Sequence, residues 1–338
     1  DQAVIVEKEE ELNLNGQLAL EADRIIFDIG LDAEKVSRQT VTKIIDDIKD
    51  FSAIAKESPA RQQTPSGRQL KGILHFKIGQ FFSSPADEQD DKTVSPNYVL
   101  APAHGFITID SKADIFSINL RDSSLCGLEI SGTLNTRESN HQSSLTIFTD
   151  SSSPPLFQDV LPCFDFNNTL LEGAIHLDVN LQGTANEWQS GKANLYSDGG
   201  YIHRLGFLSK VFRVINLRDI FSGTDLPDFA NEGFAYSKGD ITSHVEDNKL
   251  HIDKAVIAGE GLNIFGQGTI DLADWSADLI VMVAPLKTVD AVFTNIPLIG
   301  KVLGGKDKAV LSIPVALKGD IRDPHVTILP PEAIGKGL

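Results

Sequence analysis

Methionine is nearly missing from this chain: Met282 is the only one, and the sequence opens on Asp1. The expectation is a processed or excised fragment, with an amino-terminal anchor lost from it. No window of about 18 apolar residues occurs, so no segment is expected to span a bilayer as a helix. Nor does the start carry the charged, apolar and small-residue zones of a signal peptide. Cysteine is scarce, with Cys126 and Cys163 alone. They pair if the compartment oxidises and stay buried thiols if it does not, and their spacing is not that of a metal site. Basic residues are outnumbered, 30 against 47 acidic ones, for a net charge of −17. Such a chain repels phosphate backbones, so nucleic acid is not an expected partner, and binding to an anionic membrane would need a local basic patch.

The marks of catalysis are absent as well. The eight histidines read as scattered, with no HExxH and no close His/Asp/Glu cluster of metal type. There is no G-x-S-x-G elbow and no Cys–His motif. "GEGLNIFGQG" lies between strands instead of opening a helix, as a dinucleotide loop would. "NIPLIGKV" has the Gly-Lys of a phosphate loop but neither its first glycine nor its hydroxyl residue. Acidic pairs such as Asp46–Asp47 and Asp90–Asp91 read as solvated faces. The expectation is a protein that is not an enzyme, with no cofactor and no metal.

What is present is alternation. Hydrophobic residues make up 41% of the 338 and charged residues 23%, a globular balance with length for about two domains. In "GAIHLDVNLQG", Ile175, Leu177, Val179 and Leu181 fall on one face and Ala174, His176, Asp178 and Asn180 on the other. That is the pattern of a sheet with one dry and one wet side. The same period predicts apolar faces at Ile107 and Ile109; at Phe116, Ile118 and Leu120; at Leu279, Val281 and Val283; and at Leu311, Ile313, Val315 and Leu317. Gly-x-apolar-x-apolar recurs as "GQLAL", "GILHF", "GFITI", "GAIHL" and "GTIDL". The reading is a glycine placed where the chain turns into a strand. No fixed period marks a solenoid.

Helical spacing appears three times. Val41, Ile44, Ile45, Ile48 and Phe51 oppose Lys43, Asp46, Asp47 and Asp50, with Ser37 as the N-cap and an end before Pro59. Leu205, Leu208, Phe212 and Ile215 form a stripe edged by Lys210 and Arg213. Val289, Val292, Phe293, Ile296, Ile299, Val302 and Leu303 form another, kinked at Pro297. These last two helices pack on a sheet, cap a groove or touch a membrane surface.

The expected fold is mainly β: an elongated, curved antiparallel β-sheet meander with an open groove and a few amphipathic helices. A β-sandwich is the competing reading. The expected divisions are 1–65 (strands and an amphipathic helix), 66–195 (a β-meander) and 196–338 (a β-sheet with the two apolar helices).

From about Gly105, and most clearly from Tyr196 to Pro331, the chain resembles the carboxy-terminal region of the AsmA-like family. The carrying segments run in order: "SLCGLEISGTL", "GGYIHRLGFLSKVFRVINLRDIF", "EGFAYSKGDITSHVEDNKLHIDKAVIAGEGLNIFGQGTIDLADWSADLIVMVAP", "VFTNIPLIGKVLGG" and "IPVALKGDIRDPHVTILPP". The resemblance implies a periplasmic protein of a Gram-negative-type bacterium, anchored to the inner membrane, with a curved sheet that conducts phospholipid between inner and outer membranes. It implies phospholipid as ligand, outer-membrane or periplasmic proteins as further partners, and no catalytic residues. The apolar strand faces above are then the groove lining, and Leu205, Leu208, Phe212, Ile215, Val289, Phe293, Ile296, Ile299 and Leu303 lie on the capping or membrane-facing helices. Two rivals use the same residues: an envelope interaction module whose core is closed by its own helices, and a carbohydrate-acting enzyme on a β-solenoid, which the absent repeat and carboxylate constellation disfavour.

Overall fold

The computed structural model describes residues 2–7, 10–21, 23–41, 43, 69–82, 99–113, 115–135, 142–164, 166, 170–184, 187–204, 210–211, 233–260, 262–285 and 313–330. Nineteen strands run through them. Helix is confined, among the described residues, to short pieces at 38–41 and 43, at Phe157–Val160 and at 210–211, with a 3₁₀ turn at Leu161–Phe164. The protein is mainly β with few helices, as the alternation predicts. It divides into two units: unit 1 is residues 1–149, 162–165 and 180–187, and unit 2 is 150–161, 166–179 and 188–338.

Unit 1 starts with β1 (Gln2–Glu7), β2 (Glu10–Leu20) and β3 (Arg24–Ser37), paired antiparallel in sequence order. β4 (Gln69–Phe82) then joins β3 in parallel register, from Arg24↔Gln69 to Ser37↔Phe82. This corrects the antiparallel meander. Residues 38–68 supply the dozen or more residues that a crossover needs, whereas a hairpin would have reversed the chain. Next come β5 (Val99–Leu100), β6 (Ala103–Asp110), β7 (Ile115–Leu125), β8 (Leu128–Asn135) and β9 (Ser143–Phe148), with β6 on β4 and each of β7, β8 and β9 on its predecessor.

The predicted N-cap is in place. Ser37 Oγ accepts the Thr40 backbone N–H at 3.3 Å, and residues 38–41 are helical. Val41 packs on the cluster of Leu12, Leu31, Val36, Ile78 and Ala103. Ile44, Ile45, Ile48 and Phe51 lie outside the described residues. Cys126 and Gly127 make the two-residue turn between β7 and β8 with φ of +53° and +86°. Positive φ at both positions matches the twist of a tight hairpin. Cys126 forms a disulfide with Cys163 in the 3₁₀ turn, with Cα atoms 6.5 Å apart.

In unit 2, β10 (Leu170–Leu171), β13 (Gly200–Arg204) and β12 (Trp188–Ser197) lead into β14 (Phe234–Glu246), with β10 on β13 and both β12 and β13 on β14. From there β15 (Lys249–Gly259), β16 (Leu262–Asp271), β17 (Ser276–Pro285), β18 (Ile313–Asp320) and β19 (His325–Ile328) form an antiparallel meander. Aspartates at the strand ends hold the tight turns. Asp271 Oδ1 accepts from Ala273 N–H at 2.9 Å, and Asp320 Oδ1 from Arg322 N–H at 2.9 Å.

The recurrent glycine does not sit where the sequence places it. Gly268 lies inside β16, with φ +140° and its would-be Cβ 2.2 Å from the Asp278 carbonyl oxygen. Gly16, Gly72 and Gly105 also lie within β2, β4 and β6. Of the five motifs, only "GAIHL" has its glycine ahead of its strand, since Gly173 precedes β11 (His176–Gly183). Close approach of a neighbouring backbone, not a turn, excludes a side chain at Gly268.

Candidate functional site

Because side chains alternate along every strand, register decides which of them share a face. In unit 1 one row across the sheet reads Ile29, Leu74, Ile107, Ile118, Leu134. A second reads Leu18, Phe27, Gly72, Ile109, Phe116. A third runs Leu14, Leu31, Phe76, Gly105, Leu120, Gly132, Leu145. Ile107, Ile109, Phe116, Ile118 and Leu120 therefore stand together on one apolar face. The first four are half-buried and Leu120 is buried. At the open end of that face Leu18 is 57% and Leu20 61% exposed. The opposite face is polar, with Lys71 bridging Asp110 at 3.1 Å and His75 lying 3.5 Å from Asp28.

Unit 2 repeats the arrangement. One row crosses seven strands as Leu195, Ile241, Ala255, Gly266, Val281, Val315, Ile328. The neighbouring row carries Ile252, Gly268, Leu279, Leu317 and Val326. Burial is graded along it. On β12, β14 and β15, Leu195, Ile241, Ile252 and Ala255 are half-buried. On β17 and β18, Leu279, Val281, Val283, Ile313, Val315 and Leu317 belong to a packed cluster with Val211. Val211 is one of the two described residues of the first apolar helix, and the other, Lys210, pairs with Asp323 and donates to the Pro324 carbonyl at 3.1 Å. That segment thus packs on the sheet where it is described.

Other expected site residues are placed as follows. Ile175 and Val179 are buried and Leu177 and Leu181 half-buried, while Asp178 and Asn180 are exposed. Leu311, Leu205, Leu208, Phe212, Ile215, Val289, Phe293, Ile296, Ile299 and Leu303 lie outside the described residues.

The buried polar atoms are mostly spent on structure. The Tyr236 hydroxyl donates to the Glu172 carbonyl at 2.9 Å and shares a contact of 2.9 Å with Ser197 Oγ. Burial pushes that hydroxyl's pKa up, so it stays protonated and able to donate. Asp110, Asp150, Asp274 and Asp320 are held below the usual carboxylate range by hydrogen bonds in their own turns.

The histidines are less scattered than the sequence suggests. His244, Glu246 and His251 converge at the β14–β15 hairpin. The missed signal is the string "HVEDNKLH": a His-x-Glu alternation, a two-residue turn and a returning histidine. Among the described residues no helix is long and apolar enough to cross a membrane.

Residues 128–326 match the family model described as YhdP protein. No curated protein and no solved structure matches.

Proposed function

The chain belongs to the YhdP protein family, in the AsmA-like group of envelope proteins, and from that premise we propose that it is a non-enzymatic lipid-transfer protein. It holds phospholipid acyl chains on the apolar sheet faces, works in the periplasm anchored to the inner membrane, and moves lipid between inner and outer membranes. The observation that carries this reading is the in-register, half-buried row Ile29, Leu74, Ile107, Ile118, Leu134. Each methylene kept from water is worth about 0.8 kcal/mol, so a lipid leaving a bilayer needs a continuous apolar surface more than it needs hydrogen bonds. Ionic groups on the reverse face leave that surface uncharged.

A second reading has its own support. On β17 and β18 the apolar face is filled, with Val283, Val315 and Leu317 fully buried. A unit closed in this way serves as a structural or interaction module of the envelope, without carrying lipid. Native mass spectrometry of the chain purified gently from a bacterial host, with extracted lipids identified in parallel, separates the two. The lipid reading expects bound phospholipid, lost in the Ile107→Asp/Ile118→Asp variant while far-ultraviolet circular dichroism stays unchanged. A folded protein with no bound lipid, or lipid retained in that variant, overturns it in favour of the interaction module.

A further inference from the structure

We propose that the end of the β14–β15 hairpin is a binding site for a divalent transition-metal ion of the zinc class, with His244, His251 and Glu246 as ligands. This stands apart from the lipid reading, since it uses the opposite, polar face of unit 2. His244 and His251 are direct cross-strand partners. Their imidazoles lie 4.9 Å apart with planes inclined by only 9°. Glu246 follows His244 by two residues and so projects from the same face. One ligand atom from each of the three lies within 4.8 Å of the other two.

The donor set fits that class of ion. Two imidazole nitrogens and one carboxylate oxygen are the protein ligands of many zinc sites, with a fourth position left for water. Such ligands suit Zn²⁺, Cu²⁺ or Ni²⁺, whereas Ca²⁺ and Mg²⁺ want oxygen throughout. Zinc–nitrogen bonds of about 2.0–2.1 Å require the ligand atoms to close by roughly an ångström. His244 and His251 are half-buried and Glu246 is exposed, so their χ angles have room to close that distance.

Asp253 gives the cluster an outer shell. Its carboxylate oxygens lie 2.9 and 3.0 Å from His244 Nδ1. The irregularity in register between Thr242 and Ser243 brings Asp253 to that position. Accepting the Nδ1 proton fixes the tautomer that leaves Nε2 of His244 with its lone pair, the carboxylate–histidine–metal pattern. The hairpin end is also tied from both sides. The Asn248 N–H donates to the Trp188 carbonyl at 2.7 Å, Asn248 Oδ1 accepts from the Trp188 N–H at 3.1 Å, and the Leu272 N–H donates to the Asn248 carbonyl at 2.9 Å. The ligands therefore stand on a fixed frame. Charged neighbours are mixed: Lys192 is opposite His244 and Lys249 opposite Glu246, with Asp271 opposite Lys249.

The test is calorimetric titration of the full, tag-free, metal-stripped chain with ZnCl₂ at neutral pH, alongside MgCl₂. The expected result is one saturable zinc equivalent and no magnesium heat. His251→Gln should weaken zinc at least a hundredfold. Asp253→Asn, which keeps all three ligands, should weaken it ten- to a hundredfold, the range for loss of an outer-shell partner. Both variants change side chains that are not fully buried, and circular dichroism checks that they fold. Absence of a saturable equivalent, or one that survives His251→Gln unchanged, overturns the site. Zinc binding that is lost in His251→Gln but unchanged in Asp253→Asn overturns the role given to Asp253.

Discussion

Gly266 and Gly268 stand two residues apart on the same face of β16, and alanine should have opposite effects at the two. At Gly268 a Cβ would lie 2.2 Å from the Asp278 carbonyl oxygen and 2.8 Å from the Leu279 Cα, both backbone atoms of β17, with φ at +140°. A side chain at such a φ costs about 1–3 kcal/mol in strain alone. Relieving the clash means pushing β17 away, which forfeits ladder hydrogen bonds at about 1 kcal/mol each. Gly268→Ala should therefore destabilise by roughly 3–5 kcal/mol. At Gly266 the nearest atoms to a built Cβ are Ala255 Cβ at 3.5 Å and Val281 Cγ2 at 3.8 Å, ordinary contact distances. Gly266→Ala should stabilise by about 0.4–1 kcal/mol, because it removes conformational freedom from the unfolded chain. With a urea m-value of roughly 2 kcal/mol/M, the two variants should differ in midpoint by about 2 M. Urea unfolding followed by circular dichroism measures this directly. Equal shifts for both variants, or a Gly268→Ala midpoint indistinguishable from the parent, would refute the reasoning. The larger Gly266→Leu variant extends the test to function: it fills the space beside Val281, and bound lipid should fall while the fold remains.

The Cys126–Cys163 bond closes a sequence separation of 37 residues. Loop-closure entropy puts its worth at about 4 kcal/mol, so Cys126→Ala/Cys163→Ala should lower the unfolding free energy by up to that amount, and a loss under about 1 kcal/mol would contradict it. Acid should also destabilise the protein. Hydrogen bonds in their own turns hold the folded-state pKa values of Asp110, Asp150, Asp274 and Asp320 below the ordinary aspartate value of about 3.9. Their contribution is present above that value and is lost as the pH falls through the folded-state pKa, because the unfolded chain then binds protons first. The urea midpoint should drop as the pH falls below about 5, and Asp110→Asn/Asp320→Asn should flatten the drop; an unchanged slope in that variant would count against the assignment.

Alternation made much of this architecture readable. Ile107 and Ile109, and Phe116, Ile118 and Leu120, are at period two, and one face of a two-faced sheet is all that such a period can mean. Pairing direction is a different matter. The residues of β3 and β4 alternate identically whether the strands run parallel or antiparallel, so the parallel register from Arg24↔Gln69 has no local signature. The glycines misled for a related reason. Sequence shows that Gly268 has no side chain, but not that the Asp278 carbonyl occupies the space one would fill. The histidine cluster was hidden by its turn. Asp247 and Asn248 adopt φ of +47° and +59°, and only once they are read as a tight hairpin do residues 244 and 251 become neighbours. The disulfide needed geometry too, since 37 residues of separation say nothing of a 6.5 Å Cα distance.

Each unit, taken by itself, arrives at the same kind of surface by a different route. Unit 1 includes a parallel pair, whereas the strands from β14 to β19 in unit 2 pair antiparallel in sequence order. What they share is the composition of one face: rows of Ile, Leu, Val and Phe with no charged side chain, interrupted by Gly72, Gly105 and Gly132 in unit 1 and by Gly266 and Gly268 in unit 2. A glycine in such a row lowers the floor of the face without making it polar. That relief suits a thin, flexible, apolar chain, which needs area and no hydrogen bonds. A docked helix or strand would instead call for side-chain pockets or a free backbone edge. The rows themselves offer nothing that distinguishes one acyl chain from another, because dispersion and hydrophobic burial scale with area and not with identity. On the proposed lipid reading, selection among lipids falls to the margins of the face, where the sheet turns from Ile and Leu to Asp, Lys and His.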